Sequence, residues 1–137
     1  MTNHEQADRL MMEASAILDE LPRLLARRAW NLAIRRAQEV IELALKALMI
    51  EMGIDYPKVH DVAPLFAATV RARGTWVDEE ILEWLQQASA RLARRRGPAF
   101  YLETDFGEQD AEEAAGDATR VMNFGNDLLK RLRKKET

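Results

Sequence analysis

One long apolar stretch, from Trp30 to Gly53, constrains the fold more than any other feature of the sequence. Its apolar residues recur three and four positions apart, as on one face of a helix, and further apolar residues widen that face. The face holds Trp30, Ala33, Ile34, Ala37, Val40, Ile41, Ala44 and Leu48, with Leu43, Leu45 and Met49 beside it. Glycine commonly ends a helix, as Gly53 would here. The sequence therefore predicts a helix that packs on more than one side.

Two further helices are predicted to flank this segment. The first runs from about His4 into the mid twenties, unless Pro22, which lacks a backbone donor, kinks or ends it. The third begins near Asp61, whose carboxylate can accept from the backbone amides of the first turn. Its inward residues are predicted to be Leu65, Phe66 and Val70.

A fourth helix is predicted after Gly74. Thr75 and Asp78 have the spacing of a capping box, and the helix is predicted to end at Gly97-Pro98, where the chain would turn. Its inward residues are predicted to be Ile81, Trp84, Leu85, Ala88 and Leu92.

A fifth helix begins in the acidic run from Glu108 and ends among lysines and arginines, an order that suits the helix dipole. Two glycines inside it, Gly116 and Gly125, each lower the stability of the helix relative to alanine. Their presence therefore indicates that a neighbouring helix approaches closely at these positions. With no strand pattern elsewhere, the sequence predicts an all-α, up-and-down bundle of five helices.

Composition indicates a single folded domain over residues 1–137. Hydrophobic residues make up 47% and charged residues 31% of the chain, a balance typical of globular proteins. The chain has no cysteine, which excludes disulfides, thiolate metal sites and cysteine nucleophiles. The polar first ten residues and the lack of a run long enough to span a bilayer predict a cytoplasmic protein without membrane contact.

A cluster of arginines at the end of the fourth helix is the first candidate site. The predicted nucleotide- or RNA-binding residues here are Arg91, Arg94, Arg95, Arg96 and Tyr101. Guanidinium groups beside a tyrosine can hold a phosphate and stack on a base. The alternative is a set of cations favoured by the helix dipole, or paired with Glu103 and Asp105 of the same chain.

The second candidate site is the loop before the third helix. Lys58 and His60 stand next to Asp61, and the imidazole of His60 has the chemistry of a general base or a phosphate ligand. The structural alternative is that His60 and Asp61 organise the loop and cap the helix.

Two segments carry a resemblance to a known family. The first has Ala33, Ala37, Gln38, Glu39, Glu42 and Ala44 to Leu48, followed past a glycine by Pro57, Lys58, His60 and Asp61. The second, Arg94 to Ala114, has an arginine-rich helix end, a Pro-Ala-Phe-Tyr loop and an acidic helix start. Both resemble the HEPN family, named for higher eukaryotes and prokaryotes nucleotide binding. The resemblance implies nucleotide or RNA binding, dimerisation and a nucleotidyltransferase-like partner, some such pairs being toxin and antitoxin.

HEPN ribonucleases resemble one another in a further motif, an arginine followed after four to six residues by a histidine. Here Tyr101 follows Arg96 after four intervening residues, and neither His4 nor His60 has that spacing. A phenol is a poor general base at neutral pH. The sequence therefore favours a non-catalytic binding module over its two alternatives, a divergent ribonuclease that uses Arg94 or Arg96 with Tyr101 and a structural adaptor.

No cofactor or metal is predicted, because the chain has no glycine-rich phosphate loop, no HExxH motif and no histidine cluster. A homodimer is predicted, because the second helix is apolar over more of its circumference than a five-helix bundle of this size can easily cover. The Arg-Tyr end of the fourth helix is predicted to lie near the cleft that the two copies share.

Overall fold

The computed structural model describes residues 1–74 and 77–135, and these ranges contain five α-helices and no strand. The helices are α1 (Asn3–Ala26), α2 (Trp30–Glu51), α3 (Ala63–Arg73), α4 (Glu79–Phe100) and α5 (Glu108–Lys134). Buried residues from all five helices form one hydrophobic cluster. The predicted all-α bundle is therefore confirmed. Within the described residues, no helix has the length and apolar character needed to cross a membrane.

Helix α2 lies at the centre of the bundle and packs against the other four helices. None of its residues is exposed, and most of its large apolar side chains are buried within the one chain, whereas Trp30, Leu32, Leu43 and Ile50 are half-buried. The prediction that it packs on more than one side is confirmed. The uncovered apolar surface expected on α2 is absent, because α1, α4 and α5 together surround it. Gly53, two residues after the end of α2, has a φ of +77°, the left-handed conformation that suits glycine.

Helix α1 continues through Pro22 to Ala26 instead of ending at the proline. Leu21, next to it, is buried in the core, and this packing holds the last turn in helical form. Arg28 then adopts a positive φ of 60°, with the Arg28 amide donating to the Leu25 carbonyl, and reverses the chain into α2.

Helix α3 begins two residues later than predicted, with Val62 at its cap position and no side-chain cap. The predicted capping role of Asp61 was wrong, because its Oδ1 instead accepts a hydrogen bond of 2.7 Å from Ser89 Oγ on α4. Phe66 is buried as predicted, and so is Val70. Leu65 was predicted to face inward but is 39% exposed.

Helix α4 is capped by Asp78, whose carboxylate accepts from the Glu80 amide at 2.8 Å. Thr75, predicted to share in this cap, lies outside the described residues. The predicted end and turn at Gly97-Pro98 was wrong, since the helix continues to Phe100 and the Tyr101 amide donates to the Gly97 carbonyl. The predicted inward residues Leu85, Ala88 and Leu92 are buried, whereas Ile81 and Trp84 are half-buried.

Close helix contact at a glycine of α5 is confirmed at one of the two predicted positions. A side chain added at Gly125 would place its Cβ 3.2 Å from Met11 Cε and 3.9 Å from Ala44 Cβ. At Gly116 an added Cβ would meet open space. The contact predicted at Gly116 was therefore wrong.

Candidate nucleotide-binding cleft

The arginines near the end of α4 do not converge on one site. Arg91 Nε lies 3.0 Å from Glu113 Oε1 on α5, and its other end donates to Asp117. Arg95 turns the same way, with Nη1 3.7 Å from Asp110 Oδ1. Both guanidinium groups therefore tie α4 to α5, using carboxylates of α5 as partners.

Arg96 faces the opposite side of α4, toward α2. Its Nη1 donates to Gln38 Oε1 at 2.7 Å and lies 3.3 Å from Glu39 Oε1. Gln38 is buried, so this contact fixes the position of the Arg96 guanidinium. Arg94, two residues earlier, is exposed and forms no hydrogen bond or ion pair with the described residues.

His60 is held against α2 by a carboxylate. Its Nδ1 lies 2.8 Å from Glu42 Oε1, and Glu42 also accepts from Lys46 Nζ at 2.6 Å and from Gln38 Nε2 at 2.9 Å. Burial raises the pKa of the Glu42 carboxyl, but the hydrogen bonds from Gln38, Lys46 and His60 outweigh burial and lower it overall. Glu42 therefore stays ionised and orients the imidazole.

These contacts bring three of the predicted site residues to one surface cleft of about 330 Å³. We name this the Arg96 cleft. It is lined by Arg35, His60, Ala93, Arg96, Gly97, Phe100 and Tyr101. Arg91, Arg94, Arg95 and Lys58, also predicted to bind, do not line it. His60 thus reaches the Arg96 cleft from a loop far away in the sequence.

Arg35 and Phe100 complete the cleft and were missed by the sequence analysis. The Arg35 guanidinium carbon lies 4.7 Å from the centre of the Phe100 ring, which in turn contacts Tyr101 edge to face at 5.0 Å. The sequence feature that could have identified Arg35 is the pair of adjacent arginines, Arg35 and Arg36, within a largely apolar helix.

Asn31 fixes the loop that follows the cleft. Its Nδ2 donates to the carbonyls of Ala99 and Thr104 at 3.2 and 2.9 Å, and its Oδ1 accepts from the Phe106 amide at 3.0 Å. This amide side chain was also missed, although a polar residue beside the apolar face of α2 was a visible signal. The consequence is that Tyr101 stays 70% exposed on a short, pinned loop.

Comparison with protein families gives a match to most of the chain. The HEPN domain family model matches residues 7–128. The chain belongs to the HEPN family. The match spans all of α2 to α4 and most of α1 and α5, so the HEPN domain described here includes every residue of the Arg96 cleft. No curated protein and no solved structure matches the chain significantly.

The HEPN domain therefore presents two guanidinium groups, an imidazole and a phenol at one cleft. Guanidinium groups bind phosphate through paired donors, and exposed aromatic rings stack on bases. The ring nitrogens of the imidazole can donate hydrogen bonds to a ligand or accept them. In this HEPN domain the imidazole comes from the loop between α2 and α3, while Tyr101 stands after Arg96 on α4.

Proposed function

We propose that this HEPN domain binds a nucleotide or single-stranded RNA in the Arg96 cleft. A phosphate would lie between Arg35 and Arg96, and a base would stack on the exposed ring of Tyr101. The observation that carries this proposal is the convergence of two arginines, His60 and two aromatic rings on one cleft of about 330 Å³.

The electrostatics of the cleft support an anionic ligand. Arg35 forms no ion pair with the described residues, because its guanidinium lies over Phe100. Arg96 has a neutral partner, Gln38, as its nearest contact, and its carboxylate contact Glu39 is shared with Arg36 at 2.9 Å. Positive charge is therefore left over at the cleft, even though the whole chain has a net charge of −3.

A salt series on RNA binding tests this proposal. Affinity for a short single-stranded RNA should fall with salt, because bound phosphates release counterions. Arg35→Gln should reduce the slope of log affinity against log salt by about 0.7, the value for one phosphate contact on a single strand. Arg9→Gln, which removes an exposed arginine of α1, is the matched control and should leave the slope unchanged. Equal slopes for wild type and Arg35→Gln, or no binding at all, would favour the structural-adaptor alternative.

RNA cleavage is the second candidate function, and one observation favours it. The cleft holds an imidazole, backed by Glu42 at 2.8 Å, beside Arg96. His60 would take the proton of a 2′-hydroxyl, whose oxygen attacks phosphorus as the P–O5′ bond breaks. The products would be a 2′,3′-cyclic phosphate and a 5′-oxygen that regains a proton from the imidazolium or water, with Arg96 stabilising the added charge.

The test of cleavage is the product mixture from a labelled RNA. A cyclic-phosphate product made by the wild type and lost in both His60→Ala and Glu42→Gln would favour the ribonuclease, since general-base assistance is worth about 10² to 10⁴ in rate. Binding without any such product would favour the non-catalytic module. Loss of cleavage in Tyr101→Phe alone would instead assign the proton transfer to the phenol.

Assembly is also part of the proposal. The exposed apolar side chains of Phe100 and Leu102 support a homodimer that pairs at this end of α4, with Tyr101 open to the shared cleft. Membership of the HEPN family supports a nucleotidyltransferase-like protein as a further partner, and the two would form a toxin and antitoxin pair in one such arrangement. The proposed site of this complex is the cytoplasm.

A further inference from the structure

The side chains that could bind a phosphate in the Arg96 cleft come from three parts of the chain and line one small site. Arg35 reaches it from α2, Arg96 from α4 and His60 from the loop between α2 and α3, and the cleft of about 330 Å³ has the volume of a site for one small ligand. Sites that follow a nucleic-acid backbone instead spread their cations along a groove. Arg35, Arg96 and His60 can together donate more hydrogen bonds than a single internal phosphodiester, with its two free oxygens, can accept.

The charge of the ligand decides between two kinds of phosphate. An internal phosphodiester carries one negative charge, whereas a phosphomonoester carries about 1.5 to 2 negative charges at neutral pH and has three acceptor oxygens. From this match we infer that the cleft is a phosphomonoester site, one that binds the terminal phosphate of an RNA strand or of a mononucleotide in preference to an internal phosphodiester. This inference rests on the proposed function and deepens it.

His60 is oriented to take part in this preference. Its Nδ1 is engaged by Glu42, which leaves Nε2 for a ligand. From this position Nε2 can donate a hydrogen bond to an oxygen of the bound phosphate. Lys46 Nζ, at 2.6 Å, offsets the negative charge of Glu42, so the electrostatic repulsion between Glu42 and a bound phosphate is small.

The other carboxylates near His60 are each bound to a hydrogen-bond or ion-pair partner. Asp61 accepts from Ser89, and Glu39 lies 2.9 Å from Arg36 and 3.3 Å from Arg96. The charged groups that line the cleft itself are Arg35 and Arg96, with the phenol of Tyr101 beside them. Among the residues that the structure describes, no carboxylate lines the cleft to repel a dianion directly.

A neighbouring cleft offers room for the rest of a strand. It has a volume of about 590 Å³ and shares Arg35 and Phe100 with the Arg96 cleft. It is lined further by Trp30, Leu102 and Phe106, and by one residue of each charge, Arg28 and Asp105. A terminal phosphate in the first cleft would place the adjoining nucleotides near these apolar and aromatic side chains. A free mononucleotide would occupy the Arg96 cleft alone.

Short RNAs that differ only at their ends test the inference. One labelled sequence would be prepared with a 5′-phosphate, with a 3′-phosphate and with hydroxyls at both ends, and 5′-AMP and adenosine would compete against it. At least one phosphorylated end should bind about tenfold tighter or more than the hydroxyl form, because its phosphate gains charge-assisted hydrogen bonds. AMP should compete and adenosine should not. An advantage of the phosphorylated strand over AMP would assign a strand end, and the reverse would assign a mononucleotide.

The possible negative results separate this inference from the proposed function. Equal affinity for all three RNAs would overturn the phosphomonoester site while leaving RNA binding in place. Absence of binding by every RNA and by AMP would overturn both.

A substitution at His60 tests the residue that carries the preference. His60→Gln keeps an amide able to donate toward Glu42 but lacks the second ring nitrogen, Nε2, and His60 is exposed enough for the change to leave the fold intact. The ratio of affinities, phosphorylated end over hydroxyl end, should fall to about twofold or less. Lys58→Gln, two residues away and outside the cleft, should retain the full preference. A tenfold preference that survives His60→Gln, or disappears equally in Lys58→Gln, would contradict the inference.

Discussion

Arg96 Nη1 donates to Gln38 Oε1 at 2.7 Å, and Gln38 is only 2% exposed. This one contact turns the last arginine of α4 away from α5, where Arg91 and Arg95 point, and toward α2. Gln38 in turn donates to Glu42, the carboxylate that holds His60. The guanidinium and the imidazole of the cleft are therefore positioned through one buried amide side chain.

The first prediction concerns the stability contributed by this contact. Arg96→Ala should lower the free energy of unfolding by about 1 to 3 kcal/mol, because the buried Gln38 oxygen loses its donor. Arg94→Ala, at an exposed position two residues away, should change it by less than about 0.5 kcal/mol. Urea unfolding followed by circular dichroism measures both. Equal effects of the two substitutions would contradict the buried contact.

The second prediction uses the two interior glycines of α5. Gly116→Ala should raise the free energy of unfolding by about 0.5 to 1 kcal/mol, because alanine is the better helix former and its Cβ meets open space. Gly125→Leu should lower it by about 1 to 3 kcal/mol, because the added side chain would overlap Met11 and Leu48. Thermal unfolding of both variants beside wild type checks the opposite signs. Stabilisation by Gly125→Leu would show that the helices can separate at this point.

The third prediction concerns acid stability. The native pKa of Glu42 lies below its ordinary value of 4.5, because hydrogen bonds from Gln38, Lys46 and His60 outweigh burial. The unfolded chain then binds the proton more readily, so the stabilisation is fully present above 4.5 and is lost as pH falls through the lowered native pKa. Glu42→Gln should therefore lose less stability than wild type on acidification below pH 4.5. The control Glu13→Gln, at an exposed carboxylate, should follow the wild-type curve.

Helix α2 and the arginines of α4 illustrate what sequence patterns can and cannot predict. The spacing of apolar residues identified α2 and its buried face, because periodicity depends only on the helix itself. The same spacing placed Arg91 and Arg95 together, four residues apart, but it could not say which neighbouring helix each arginine would meet. Asp117, the partner of Arg91, and Gln38, the partner of Arg96, each lie more than twenty residues away from that arginine in the sequence.

The candidate site was harder to predict for the same reason. Asp61 was assigned to the cap of α3, which is a local interaction, but Ser89 on α4 provides a partner from a distant part of the chain. His60 and Arg96 were each predicted as candidates, yet nothing in their separation indicated a common cleft. Tertiary contacts, which join α2, α4 and the loop before α3, created the site.

The fourth prediction concerns assembly. Phe100 and Leu102 are both more than half exposed, and burying them against a second copy, with the ring of Tyr101 left open to the shared cleft, would remove apolar surface from water. Sedimentation equilibrium at tens of micromolar protein should give a dimer, and a Phe100→Ser and Leu102→Ser double variant should shift it toward monomer. Met12→Ser, at another exposed apolar residue on α1, is the matched control. A monomer at that concentration for the wild type would contradict the dimer.

The fifth prediction concerns the loop that presents Tyr101. The Phe106 amide donates to Asn31 Oδ1, while Asn31 Nδ2 donates to the carbonyls of Ala99 and Thr104. Asn31→Ala removes all three bonds, so the Phe106 amide should exchange with solvent much faster than in wild type. RNA affinity should also fall, because the loop must then be ordered on binding.

Asn31→Asp separates the two halves of this contact. A carboxylate can still accept from the Phe106 amide, but it has no donor for the carbonyls of Ala99 and Thr104 and repels their oxygens. The Phe106 amide should therefore stay more protected from exchange than in Asn31→Ala, while the stability of the end of α4 falls in both variants. Hydrogen exchange read by nuclear magnetic resonance at single amides distinguishes these outcomes. Equal exchange of the Phe106 amide in wild type and Asn31→Ala would show that Asn31 does not hold the loop that presents Tyr101 to the cleft.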